Sequence, residues 1–136
     1  MREILLALAL AAQTVPAAPR TIAQTSMSQV DAPRQAVARS QAEWVALWRQ
    51  HAGETPAPAV DFTESTVIAV FLGSRMSSGY RVGITGTRRE GATLVVLWSE
   101  TRPDPGMMAA QVITTPAHLA AIPRFPGDIR FEQIGR

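Results

Sequence analysis

Thr66-Val-Ile-Ala-Val-Phe-Leu72-Gly73, then Ser74-Arg-Met-Ser-Ser-Gly79, then Tyr80-Arg-Val-Gly-Ile-Thr85 is the stretch on which the fold turns. Thr66 to Leu72 has no polar residue after its first, is rich in β-branched and aromatic side chains, and stops at Gly73. A run that short, bounded by glycine, reads as a buried strand rather than a helix. Tyr80, Val82 and Ile84 alternate with Arg81, Gly83 and Thr85, the pattern of a strand with one face buried. The two strands are expected to form the centre of the sheet, with the loop Gly73 to Tyr80 as its distinctive surface. Gly83, inside the second strand, points to a bulge or a close backbone approach.

Working outward towards the C-terminus, Gly86 to Gly91 reads as a polar hairpin connection. Ala92 to Thr101 is a third strand. It carries Leu94, Val96 and Trp98 on one side and Val95 and Leu97 on the other, so it belongs in the middle of a sheet. Arg102-Pro-Asp-Pro-Gly106 breaks the chain. A strand is expected to resume over Met107 to Thr115, through Val112 and Ile113, until Pro116. Leu119 to Ile122 is a short strand stopped by Pro123. Pro126-Gly127-Asp128 is a turn, and Ile129, Phe131 and Gln133 mark a last strand.

Working back, Thr21 to Ser26 reads as an edge strand and Gln35 to Arg39 as a second short one, with a turn around Asp31 to Pro33. Ser40-Gln-Ala-Glu43 is a capping box, in which the serine accepts a backbone N–H and the glutamate reaches back. Trp44, Leu47, Trp48 and His51 follow at helical spacing on one face. Gly53 is a C-cap, so the helix spans Gln41 to Ala52. Its tryptophans are expected against the sheet. The fold class is α+β with β dominant: an antiparallel sheet, sandwich or partly open barrel with one packed helix near the N-terminus.

The chain has 136 residues and suits one domain. Met1-Arg2-Glu3, the apolar run Ile4 to Ala12 and Val15-Pro16-Ala17 have the form of a secretory signal. Residues 1–17 are therefore assigned to a signal peptide and 18–136 to one globular domain, in the periplasm or secreted. The apolar run is too short to span a bilayer, so no integral membrane segment is expected after cleavage. Net charge is +2 and the basic residues are scattered arginines, with no lysine. That gives no case for a nucleic-acid partner. The absence of cysteine excludes disulfides and thiolate chemistry.

No catalytic group, cofactor site or metal site stands out, and the protein is not expected to be an enzyme. His51 lies on the apolar helix face and reads as a hydrogen-bonded packing residue. His118 follows Pro116 and reads as a surface or turn residue. Neither has the spacing that a metal site needs. Ser77-Ser78 lacks a nucleophile elbow, and Asp61, Glu64, Glu100 and Asp104 are scattered. A convergent acid pair or a His–Ser contact would argue for an enzyme. The loop residues Arg75, Met76, Ser77, Ser78, Gly79 and Tyr80 are the candidate partner-binding set, because arginine and tyrosine are enriched in binding hot spots. The same residues also make an ordinary turn, with glycine at φ > 0 and the tyrosine packed. Pro103 to Met108, with its paired methionines, is a second contact candidate.

Glu43-Trp-Val-Ala-Leu-Trp48, Val60-Asp-Phe62, Phe71-Leu-Gly73, Ser78-Gly-Tyr80, Pro103-Asp-Pro-Gly106 and Val112 to Pro116 come in an order that resembles the PrcB family. Those are secreted proteins named for a protease-complex subunit, with a Gly-x-x-x-Thr-Gly-Gly-Tyr pattern in the C-terminal domain. The resemblance covers most of the chain after residue 17. Ser77-Ser78 stands where Thr-Gly is usual. A fainter likeness is to chagasin-type inhibitors of cysteine peptidases, whose contact loop ends in Thr-Thr-Gly-Tyr/Phe; the Asn-Pro before it is missing here.

The resemblance implies an extracytoplasmic accessory protein without known catalysis. The expected function is a protein-interaction module, a stabilising or inhibitory partner of a secreted protease or another envelope protein. The alternative is a β domain that binds a small molecule or envelope component between helix and sheet, in a pocket lined by Trp44, Trp48 and Trp98.

Overall fold

A computed structural model describes residues 18–135; the expected signal segment, 1–17, lies outside the described residues. The elements run β1 (Arg20–Thr25), β2 (Arg34–Ala38), α1 (Gln41–Ala52), β3 (Ser65–Phe71), β4 (Arg81–Glu90), β5 (Thr93–Thr101), β6 (Ala117–Pro123) and β7 (Asp128–Gln133). One sheet has the order β1-β6-β3-β2 and the other β4-β5-β7. They pack as a sandwich, and α1 covers the outer face of the first sheet.

This layering explains why β3 is apolar throughout. Ile68, Val70 and Leu72 point into the core between the sheets, with Val82, Ile84, Val96 and Trp98 opposite. Val67, Ala69 and Phe71 point the other way, onto Trp44, Leu47 and Trp48 of α1. A strand with both faces covered has no position for a polar residue. β6 alternates in step: Ala120 and Ile122 face the second sheet, and Ala117 and Leu119 face the helix.

α1 has the expected bounds. Ser40 Oγ accepts the Glu43 N–H, and Glu43 Oε1 accepts the Arg39 N–H at 2.7 Å. Gly53 ends the helix at φ +67. The Trp44 and Trp48 indoles donate to the carbonyls of Pro58 and Thr55, which ties the proline-rich loop over the helix.

Several expectations are corrected. β3 and β4 are not sheet neighbours; the chain crosses from one sheet to the other between them, and β4 is an edge strand. Gly86 to Glu90 is strand, not hairpin connection, and the turn shrinks to Gly91-Ala92. The bulge falls between Ile84 and Gly86 and not at Gly83, so Thr85 is the extra residue. Met107 to Thr115 is not a strand; only single bridges form, Thr114 with Arg75 and Thr115 with Met27. Its two methionines and Val112-Ile113 have no sheet to pack against. β7 pairs parallel to β5, which a run of turn signals cannot reveal.

Two side chains close the corner where the sheets meet. The free edge of β4 exposes Val82 C=O and Ile84 N–H. Gln24 Nε2 donates to the first at 2.8 Å, and His118 Nδ1 accepts the second at 2.8 Å. His118 is therefore not a surface residue: it sits on β6 and is 5% exposed. Its parity with Ala120 and Ile122 aims it inward.

Candidate functional site

The loop between β3 and β4 is bound to the long segment 102–116. Arg75 exchanges both backbone hydrogen bonds with Thr114, at 2.8 and 2.9 Å. The Ser78 N–H donates to Ala110 O, and Ser78 Oγ accepts the Ala110 N–H at 2.8 Å. Thr114 Oγ1 donates to Ser77 O. Gly79 has φ +98, and a Cβ there would stand 2.9 Å from the Pro103 side chain. Only glycine allows both the turn and the close approach.

Arg75 faces inward. Its guanidinium holds Glu100 through two hydrogen bonds (Nε–Oε2 2.8 Å, Nη2–Oε1 3.2 Å) and also donates to the carbonyls of Leu72 and Ser74. The Tyr80 ring lies under it, 5.8 Å away. Hydrogen bonding to Glu100 raises the arginine's pKa further. Arg75 and Tyr80 thus hold the loop; of the six expected contact residues Met76, at 72%, and Gly79 are exposed, and Met76 is the one with a large exposed side chain.

Around it lies a surface that includes Met107 and Met108 of the second contact candidate, Pro103 to Met108, and also Val112 and Ile113, which the strand reading of 107–115 hid. Met27, Met76, Met107, Met108, Val112 and Ile113 are six of the seven exposed large hydrophobics among the described residues. All lie on segment 107–115 or on the stretches bridged to it. Met108 is 99% exposed. A cleft of about 300 Å³ runs beside them, lined by Ser78, Pro103, Asp104, Met107 and Met108 among others. Flexible, polarizable methionines suit a surface that moulds to an apolar partner, and single-domain proteins seldom leave such side chains grouped without use. The signal was present in the sequence as Met107-Met108 and Val112-Ile113.

A His–Ser contact does exist. Ser28 Oγ lies 2.8 Å from His51 Nδ1. Both are buried, Ser28 Oγ also accepts the Val30 N–H, and the imidazole packs on Trp48 and Phe71. Burial lowers the His51 pKa. The pair fastens the helix to the preceding loop, where the Gln29 N–H also donates to His51 O at 2.9 Å. Glu100 is taken up with Arg75, and Asp61 accepts from Thr63.

The three tryptophans do not line one pocket: Trp44 and Trp48 are packed against Val67, Ala69 and Phe71, Trp98 lies in the other core, and the small cleft that Trp48 borders opens between the helix and the proline-rich loop. A cleft of about 400 Å³ does border Trp98, beside Arg75 and Glu100. The Trp98 Nε1–H is buried without a hydrogen-bond partner among the described residues.

The fold and this loop pair define a two-sheet β sandwich backed by one helix, with six of the seven exposed large hydrophobics among the described residues on one irregular segment or the stretches bridged to it. Residues 66–123, from β3 through β6, match the model of the PrcB C-terminal family, the family that the sequence resembles. The matched region contains both bridged loops. No match is found among curated proteins or among solved structures. Among the described residues, no helix is long and apolar enough to cross a membrane.

Proposed function

We propose that this protein is an extracytoplasmic, non-enzymatic interaction module that serves a secreted protease as an accessory subunit. Two things support the reading. Residues 66–123 match a family named for a protease-complex subunit. The exposed methionines, Val112 and Ile113 then supply an apolar contact face, and that grouping is the observation that carries the proposal. The contact set moves accordingly. Arg75 and Tyr80 support the loop from behind, Ser77 to Gly79 fasten it, and Met76, Met107 and Met108 meet the partner. Whether binding stabilises or inhibits the protease follows from what the face covers.

The test is co-purification from an envelope fraction with the wild type and with Met76→Glu/Met108→Glu. Peptidase activity retained on the column is the readout. The wild type is expected to retain it and the double variant to lose most of it, with unchanged thermal stability. Equal retention by both removes the apolar face from the interface. No peptidase retained by either removes the accessory-subunit reading.

A further inference from the structure

A second site lies away from the methionine face, at the mouth of the core between the two sheets. The bulge at Thr85 creates it. β4 sends Val82 and Ile84 into the core; with strict alternation Gly86 and Arg88 would follow them. The extra residue reverses the parity, so Thr87 stands opposite Val96 and Arg89 opposite Leu94, on the core-facing side. Bulges re-aim side chains in this way. Arg88 is turned outward and meets Glu90 and Glu132, which also hold Arg130. Glu90 and Glu132 are thus engaged on the outer surface.

Among the described residues Arg89 has no carboxylate partner; it donates one long hydrogen bond, 3.4 Å, to the Gly91 carbonyl. Its guanidinium lies 5.1 Å from the centroid of the Phe125 ring. Arg124 adds a second guanidinium to the same cleft and makes no side-chain hydrogen bond or ion pair with a described residue. The cleft measures about 200 Å³, and Leu94, Ile122 and Phe125 form its apolar lining. Its far wall is held in place. Arg39 donates to the carbonyls of Phe125 and Gly127, and the Phe125 N–H donates to Thr66 Oγ1 at 3.0 Å. Gly127 passes so close to Ala92 that a Cβ would stand 2.9 Å from its carbonyl.

Two guanidiniums without a carboxylate partner among the described residues and a threonine hydroxyl above an apolar floor match one ligand chemistry: a carboxylate attached to a single small apolar group. Guanidinium forks match carboxylate geometry and bind it in two places at once. The volume is below the ~300–1,000 Å³ of a drug-sized site, so it fits one side chain and not an extended ligand. We propose that this cleft binds the terminal carboxylate of an apolar residue, with Arg89 and Arg124 on the carboxylate and Leu94, Ile122 and Phe125 around the side chain. Peptide-bond hydrolysis is the class of reaction that produces such a group. The site stands on its own geometry, independent of the methionine face.

The test is titration of the full chain, followed through the backbone amide resonances of Leu94 and Phe125. The probes are N-acetyl-leucine, its uncharged amide N-acetyl-leucinamide, and inorganic phosphate. N-acetyl-leucine is expected to give saturable shifts, and the amide and phosphate none. Arg124→Gln, at an exposed side chain with no internal bond, is expected to weaken binding about tenfold, the size of one lost charge-assisted hydrogen bond. Equal binding of the amide overturns the carboxylate assignment, and equal binding of phosphate overturns the apolar one. Unchanged affinity in Arg124→Gln, or no saturable shift with N-acetyl-leucine, overturns the site.

Discussion

His118→Leu tests the corner of the sandwich. His118 Nδ1 accepts the Ile84 N–H, so the ring proton is on Nε2 and donates to Thr21 Oγ1, 2.8 Å away. Leucine fills much of the same space and makes neither bond. The Thr21 side is exposed and water replaces the imidazole there. Ile84 is 7% exposed, and its N–H loses its partner. A buried donor left unpaired costs about 1–3 kcal/mol.

The pH dependence carries a second, sharper reading. Burial, together with the nearby Arg81 charge, holds the His118 imidazole below its ordinary 6.5. The unfolded chain then takes up the proton more readily than the folded one. The stability that His118 contributes is complete above 6.5 and is lost as pH falls through 6.5 towards the folded value. The slope reaches at most about 1.4 kcal/mol per pH unit for this one group. His51 shifts in the same direction, through burial alone, and persists in the variant. Urea unfolding at about pH 7.5 and about pH 5.5 separates the two effects, because carboxylate titration is common to both proteins and cancels in the difference. The core tryptophans report the transition. The gap between wild type and variant should be about 1–3 kcal/mol at the higher pH and narrow at the lower. A gap that is the same at both pH values refutes a buried neutral His118. A gap below about 0.5 kcal/mol at the higher pH, the usual range of a surface substitution, refutes the Ile84 bond.

Arg75→Ala should lower stability by about 1–2 kcal/mol, since Glu100, whose side chain is 11% exposed, loses its paired charge-assisted hydrogen bonds; urea unfolding measures it. Gly79→Ala should destabilise by more than about 1 kcal/mol, because φ is +98 and Pro103 blocks the Cβ. Gly86→Ala, with nothing within 4 Å, should be neutral; urea unfolding measures both glycine variants. Ser40→Ala should remove about 1 kcal/mol through loss of the N-cap, visible as a lower urea midpoint with unchanged slope.

Local chemistry made much of this fold legible. The helix was readable because Ser40, Glu43 and Gly53 mark its ends and the tryptophan spacing marks its face. β3 was readable because a short, wholly apolar run has few other uses. The PrcB likeness was readable from ordered short motifs between Glu43 and Pro116, and the family model matches residues 66–123. Met107, Met108, Val112 and Ile113 were visible as apolar residues, but a strand pattern explained them equally well.

What tertiary structure decided is partnership. Nothing within Thr66 to Thr85 says that its two strands belong to different sheets, because pairing depends on what β5 and β6, distant in sequence, offer each of them. His118 read as a turn residue until the free edge of β4 gave it a donor to accept. Arg75 read as a contact residue until Glu100 and Thr114 turned it inward. A bulge of one residue is silent in a polar, glycine-containing strand, yet it sends Arg89 inward and Arg88 out. Sequence by itself determined which segments are apolar and where helix and turns begin. Only the packing of one sheet on the other determined which polar groups are used within the fold and which remain available to a partner.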